Sequence, residues 1–239
     1  MSGHNKWSKI KRKKGASDLQ KAKAFTKISR EIAVAVKAGG ADLGNNARLR
    51  DIMVKARSAN IPSDNVLRSI KKASGEVASI HYESIVYEGY GIGGVAVIVE
   101  TLTDNKNRTA GEVRHIFDKY GGSLGATGCV SYMFETKGVI VIEREKIKAM
   151  DEFMLQCIDF GADDFVEDES ECVIYTKPNA LGQVRDGIEA LGLSFVSAEV
   201  ERVPSNTAAM SESQQERFET MLEKFEENDD VQNVYHNAE

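Results

Sequence analysis

The densest concentration of binding chemistry in this 239-residue chain lies at its start. Gly3-His4-Asn5-Lys6-Trp7-Ser8-Lys9-Ile10-Lys11-Arg12-Lys13-Lys14 crowds cations into a stretch with no apolar periodicity. Such a run suits phosphates: the lysines act as point charges, Arg12 as a planar fork, and His4 and Asn5 as hydrogen-bond donors. Trp7 is the single tryptophan of the chain, and it either stacks on an exposed base or pins the arm onto its own protein. Cations recur downstream at helical spacing. Lys23, Lys27 and Arg30 lie away from the stripe of Phe25, Ile28, Ile32 and Val36, and Arg48, Arg50, Lys55 and Arg57 lie off the stripe of Leu49, Ile52, Met53 and Ala56. Arg68, Lys71 and Lys72 fall at i, i+3 and i+4 and share a face. His4, Lys6, Trp7, Lys9, Lys11, Arg12, Lys13 and Lys14, with these ten downstream cations, are the expected nucleic-acid contacts. Only Trp7 and Phe25 are aromatic within the first 75 residues, so recognition by backbone and shape is expected rather than an extended stacking platform.

Other chemistries find no support. The histidines stand at 4, 81, 115 and 236, in different expected elements and at no metal-ligand spacing. Gly89-x-Gly91-x-Gly93-Gly94 precedes a Val-rich strand, whereas a dinucleotide fingerprint must open a helix; it reads as a hairpin loop. Asp163-Asp164-Phe165-Val166-Glu167-Asp168-Glu169 lacks the central glycine of a calcium loop and reads as a solvated turn. A phosphate-binding Gly-Lys-Ser/Thr ending is missing. The expectation is a protein that is not an enzyme and needs no metal or cofactor.

The formal net charge of −6 at first argues against a polyanionic partner. Located along the chain, it separates into 18 basic and 5 acidic residues over 1–75, or +13, against −19 over the remainder. That asymmetry points to a nucleic-acid contact made by one end, since counterion release depends on the cations at the contact and not on total charge. No run approaches the length of a membrane span, the longest obvious one being Val95–Val99. The basic N-terminus has no apolar stretch behind it, as a secretory signal would, and Cys129, Cys157 and Cys172 are too scattered for a disulfide framework. A reduced, soluble, cytoplasmic protein without membrane contact is expected.

The elements that must carry the cations are helices from Asp18 to Ala38, ended by Gly39-Gly40, from Asn46 to Ala59, and from Pro62 to Ala73. Strands at Ser84–Glu88, Val95–Leu102 and Cys129–Phe134 frame a helix at Asn107–Tyr120. Next come a strand Gly138–Glu143, a helix Glu145–Phe160, strands Asp163–Glu167 and Glu171–Thr176, a helix Ala180–Leu191 and a strand Ser194–Val203. This βαββαβ order is the ferredoxin-like arrangement. A helix opened by Ser211 and a strand Val231–His236 finish the chain. The expected class is α+β: a basic arm (1–17), a basic three-helix domain (18–78), a discontinuous α/β domain (79–136 plus 204–239), and a ferredoxin-like domain (137–203) inserted into it.

Motifs in fixed order resemble the YebC family: the opening G-H-N-K-W, Phe25-Thr26-Lys27-Ile28, Ala47-Arg48-Leu49-Arg50, Tyr87-Glu88-Gly89-Tyr90-Gly91, Asp104-Asn105-x-Asn107-Arg108-Thr109, Gly121-Gly122-x-Leu124-Gly125 and Asp230-Val231-Gln232-x-Val234-Tyr235-His236-Asn237. The resemblance covers nearly the whole chain. It implies a helical domain followed by two α/β domains, and a non-enzymatic cytoplasmic regulator of gene expression. Bacterial members are commonly described as probable DNA-binding transcriptional regulators. The mitochondrial relative is a translational activator, and bacterial members have also been linked to ribosomes stalled on proline-rich sequences. Arg12 and Lys21-Ala22-Lys23 depart from common family residues but keep the positive charge, and Leu43 stands where the family frequently has Pro. No transit segment precedes Gly3, which points to a bacterial member. Double-stranded DNA and ribosomal RNA both remain open as the partner, the second bringing the ribosome with it; Arg68, Lys71 and Lys72 suit phosphates better than base edges. A monomer is expected.

Overall fold

Residues 18–75 and 81–239 are described by the computed structural model, so the expected basic arm at 1–17 lies outside the described residues. Helical periodicity in the N-terminal part produces α1 (Asp18–Gly39), α2 (Ala47–Ser58) and α3 (Ser63–Ser74). They close around Ile28, Ile32, Leu49, Ile52, Val66 and Ile70, all buried. Asn46, itself buried, joins two helix ends: its Oδ1 accepts from the Leu49 N–H at 3.0 Å, and its amide donates to the Ala35 and Gly40 carbonyls at 2.9 and 2.8 Å. The orphan groups at the end of α1 and the start of α2 are thereby satisfied by one side chain.

The chain continues through β1 (Glu83–Tyr90), β2 (Ala96–Thr103), α4 (Lys106–Lys119) and β3 (Ser123–Leu124). It then forms β4 (Phe134–Glu143), α5 (Met150–Phe160), β5 (Ala162–Glu167), β6 (Glu171–Thr176), α6 (Leu181–Ala190) and β7 (Ser197–Pro204). The last elements are α7 (Glu212–Glu227) and β8 (Val231–His236). The architecture is α+β. The described residues form two compact units, one of Glu135–Val203, the other of the described residues within 18–134 together with Pro204–Glu239.

In the larger unit the strands run in the order β3-β1-β2-β8. Strands β1 and β2 pair antiparallel from Glu83 opposite Thr103 to Tyr90 opposite Ala96, and the glycine-rich segment is their hairpin loop. Gly93 and Gly94 take φ of +74° and +78° in that loop, and a Cβ on Gly91 would lie 2.8 Å from the Phe218 ring of α7. The glycines thus serve a turn and a close approach of helix to loop. Helices α4 and α7 meet through an edge contact of Phe117 and Phe225, ring centres 5.1 Å apart.

In the smaller unit the order β5-β6-β4-β7 is that of a ferredoxin-like βαββαβ sheet. Ile140, Ile142, Cys172 and Ile174 on one sheet face pack against Phe153, Cys157, Val184 and Ile188 of α5 and α6. A Cβ on Gly187 would fall 2.5 Å from the Phe160 ring, so α6 needs glycine where α5 crosses it.

Three expectations are corrected. Cys129–Phe134 is not a strand: Ser131–Met133 is a 3₁₀ turn, and the strand begins at Phe134. The buried Glu88 carboxylate accepts from the N–H groups of Gly128, Val130 and Ser131 at 2.8, 3.0 and 2.8 Å, which removes them from any sheet ladder. The helix expected from Glu145 begins at Met150, because Arg144–Lys146 forms a 3₁₀ turn whose Arg144 donates to the Ile147 carbonyl. The strand expected from Ser194 begins at Ser197. Strand β3, two residues beside β1, is too short for any periodicity to announce it.

Candidate nucleic-acid interface

Helix α1 carries Lys23, Lys27 and Arg30 on successive turns, and the fold turns this row toward its own chain. The C-terminal end of α7 leaves backbone carbonyls without helical partners, and the helix dipole makes that end negative. Lys23 Nζ donates to the Glu227 carbonyl at 3.2 Å and Lys27 Nζ to the Glu226 carbonyl at 2.9 Å. Arg30 donates to the Leu102 carbonyl at 3.1 Å and also pairs with Asp230.

Asp230, 3% exposed, is the centre of this junction. Arg108 Nη2 lies 2.7 Å from its Oδ2, and the Thr109 and Thr103 hydroxyls lie 2.7 and 3.1 Å from the same oxygen. Burial alone would raise the Asp230 pKa. The hydrogen bonds from Arg108, Thr109, Arg30 and Thr103 outweigh it and hold the carboxyl at about 2. The hydrogen bonds that Arg108 donates to Asp230 and Asp104 in turn raise its own pKa. Residues from α1, β2, α4 and the start of β8 are thus fastened on one carboxylate.

The remaining cations divide by use. Lys55 pairs with Glu31 at 2.9 Å, bracing α2 against α1. Arg50 donates to the carbonyls of Leu43 and Gly44 at 2.7 and 2.9 Å and staples the loop between these helices. Arg48, Arg57, Lys71 and Lys72 are exposed and make no ion pair with a described residue. Arg68 is exposed too; among the described residues it bonds only within its own helix, to the Asp64 carbonyl and the Asn65 side chain. Of these five open cations Arg48 and Arg57 lie on α2, and Arg68, Lys71 and Lys72 share a face of α3. His4, Lys6, Trp7, Lys9, Lys11, Arg12, Lys13 and Lys14 lie outside the described residues.

Local spacing assigns no role to Asp230, Arg108, Thr103 or Thr109. Two of the family motifs contain Arg108, Thr109 and Asp230, but these partners lie more than a hundred residues apart along the chain. Tyr82, whose ring centre is 5.6 Å from the Arg30 guanidinium, adds an aromatic group just beyond the first 75 residues.

The chain as a whole has counterparts among known proteins. Residues 5–76 match the model of the TACO1/YebC protein N-terminal domain, and residues 82–238 that of the TACO1/YebC second and third domain. The chain belongs to the TACO1/YebC family. A relative from Acetivibrio thermocellus, described as a probable transcriptional regulatory protein, is 53% identical over 99% of this chain and 98% of its own. One from Clostridium beijerinckii, with the same description, is 53% identical over 100% of this chain and 97% of its own. The crystal structure of a conserved hypothetical protein, Aq1575 of Aquifex aeolicus, superposes with a TM-score of 0.87 at 42% identity, covering 98% of this chain and 97% of that one. This TACO1/YebC chain thus shares its fold with a solved structure and its family with probable regulators. Among its described residues no helix is long and apolar enough to cross a membrane.

Proposed function

We propose that this TACO1/YebC protein regulates gene expression by binding nucleic acid, without catalysing a reaction, through the basic head and above all the open face of α3. The observation that carries this reading is the concentration of +13 on residues 1–75, together with exposed Arg68, Lys71 and Lys72 that no acidic side chain neutralises among the described residues. Cations so placed displace counterions from phosphates, and they position a protein without reading base edges. The names of the relatives, probable transcriptional regulatory proteins, support a regulator acting on DNA.

Ribosomal RNA is the second reading. It is favoured by the character of α3, whose open polar side chains suit a phosphate better than the donor–acceptor pattern of a major groove. Binding through charge and shape fits folded RNA as well as duplex DNA.

Both readings are tested by the salt dependence of affinity. About six phosphate contacts give a log–log slope near −5 on B-DNA. Replacing Arg68, Lys71 and Lys72 by Ala should reduce the slope by about three, roughly one for each cation withdrawn from a phosphate. An unchanged slope would remove α3 from the interface. Fractionating a lysate on a sucrose gradient separates the two partners. Co-migration with ribosomal particles that RNase abolishes supports RNA, and its absence together with binding to duplex DNA supports a promoter role.

A further inference from the structure

Helices α1 and α3 approach each other over small side chains, and the space above them forms a groove of about 560 Å³. Its floor is made by Ala33, Ala73 and the facing hydroxyls of Ser29 and Ser69, 3.4 Å apart. Two aromatic rings, Phe25 and Tyr82, line it, each only partly buried. Arg68 and Lys72 reach it from the exposed side of α3. Arg30 also lines the groove, but its charge is taken up by Asp230 behind it.

This combination is unlike the rest of the basic surface. Ordinary phosphate-tracking faces carry cations without rings, and an ordinary core groove carries rings without cations. A volume of this size lies within the range of small-molecule sites. Aromatic side chains beside a cationic rim are how proteins hold unpaired bases, because every base offers a π-face and every nucleotide a phosphate. The Arg30 guanidinium, 5.6 Å from the Tyr82 ring centre, steadies that ring from a position itself fixed by Asp230. Arg68 uses two hydrogen bonds within its helix and keeps donors for an oxyanion. Lys72, one helical turn further on, makes no ion pair with a described residue.

We propose that the α1–α3 groove is a nucleotide slot. It takes a single unpaired nucleotide of a bound nucleic acid, with the base against Phe25 and Tyr82 and its phosphate on Arg68 and Lys72. The hydroxyls of Ser29 and Ser69 stand where a base edge meets the floor. The inference rests on the nucleic-acid reading above and sharpens it: the protein prefers strands with a bulge, gap or loop over uninterrupted duplex.

The test uses the full chain and short RNAs carrying the fluorescent base aminopurine, either unpaired or within a duplex. In the wild type the unpaired base should become shielded from acrylamide quenching on binding. Tyr82→Leu and Phe25→Leu should remove the shielding and weaken binding of the unpaired RNA by about 5- to 100-fold, the range expected for one stacked base. Both should leave affinity for uninterrupted duplex unchanged. Tyr82→Phe keeps the ring and should keep both the shielding and the affinity, which distinguishes stacking from loss of fold; thermal unfolding of each variant confirms the fold independently. Lys72→Glu should weaken the unpaired RNA more than the duplex. The slot is overturned if shielding persists in Tyr82→Leu and Phe25→Leu, or if these variants weaken duplex and unpaired RNA equally. A wild type that binds neither RNA nor DNA would overturn the nucleic-acid reading itself, whereas tight binding with an unshielded base overturns only the slot.

Discussion

Asp230 and His236 lie six positions apart and respond to acid in different windows. His236 is buried, its ring edge-on to Phe218 at 5.0 Å, and its Nδ1 accepts from the Ala238 N–H at 3.3 Å. Burial pushes its pKa down to about 3, so it is neutral in the folded protein at every pH where the unfolded chain begins to protonate it. The stability this contributes is complete above the unfolded value near 6.5 and drains away as pH falls toward 3. Asp230 follows below it: its stabilisation is complete above about 4 and is lost as pH falls toward 2. Urea unfolding from pH 7 to pH 3 should show a decline approaching about 1.4 kcal/mol per pH unit from the histidine alone once the unfolded form is fully protonated. His236→Gln should flatten that decline. Asp230→Asn should lower stability at pH 7 by about 2 kcal/mol, since it leaves Arg30 and Arg108 facing a neutral amide. Equal pH profiles for wild type and His236→Gln would show that the histidine is not held neutral.

At the scale of elements, one carboxylate decides where a strand begins. The segment 129–134 has strand-like composition, yet Glu88 on β1 holds three of the N–H groups just before β4, and a turn replaces the pairing. Burial alone would raise the Glu88 pKa, but these bonds outweigh it and hold the value below the ordinary one, so the group is a carboxylate throughout the working range. Glu88→Gln retains size but loses charge and one acceptor, and should cost about 1–3 kcal/mol. Hydrogen exchange at Gly128, Val130 and Ser131 should accelerate far more than exchange within β2; uniform acceleration would argue for a global effect instead. Helix α1 shows a similar division of labour. Its apolar stripe is legible from period alone, and Ile28, Ile32 and Val36 are buried as that stripe requires. Its cations are legible only as a charged face. That Lys23 and Lys27 cap the end of α7 and Arg30 meets Asp230 depends on partners about 200 residues away, which no local spacing encodes.

Across the whole molecule, the net charge of −6 conceals opposite ends, and the acidic remainder should oppose polyanion binding by repulsion. Replacing the exposed Asp163, Asp164 and Glu169 by Asn and Gln should raise nucleic-acid affinity at low salt and have little effect at about 0.5 M salt, where the screening length is only a few ångströms. An equal gain at both salt concentrations would point to a contact rather than a field. The linear order of residues sufficed for most of the element sequence, the βαββαβ pattern, the hairpin reading of the glycine-rich loop and the charge division, because each depends on neighbours along the chain or on simple counting. Tertiary structure alone decided which cations remain open. Lys23, Lys27, Arg30 and Lys55 resemble Arg48, Arg57, Lys71 and Lys72 in type and spacing, and only folding brings carboxylates and helix-end carbonyls to the first group while leaving the second exposed. The same holds for Phe25, Tyr82, Arg68 and Lys72 around one groove: a charge can be counted from sequence, but its neighbours are set by packing between distant segments.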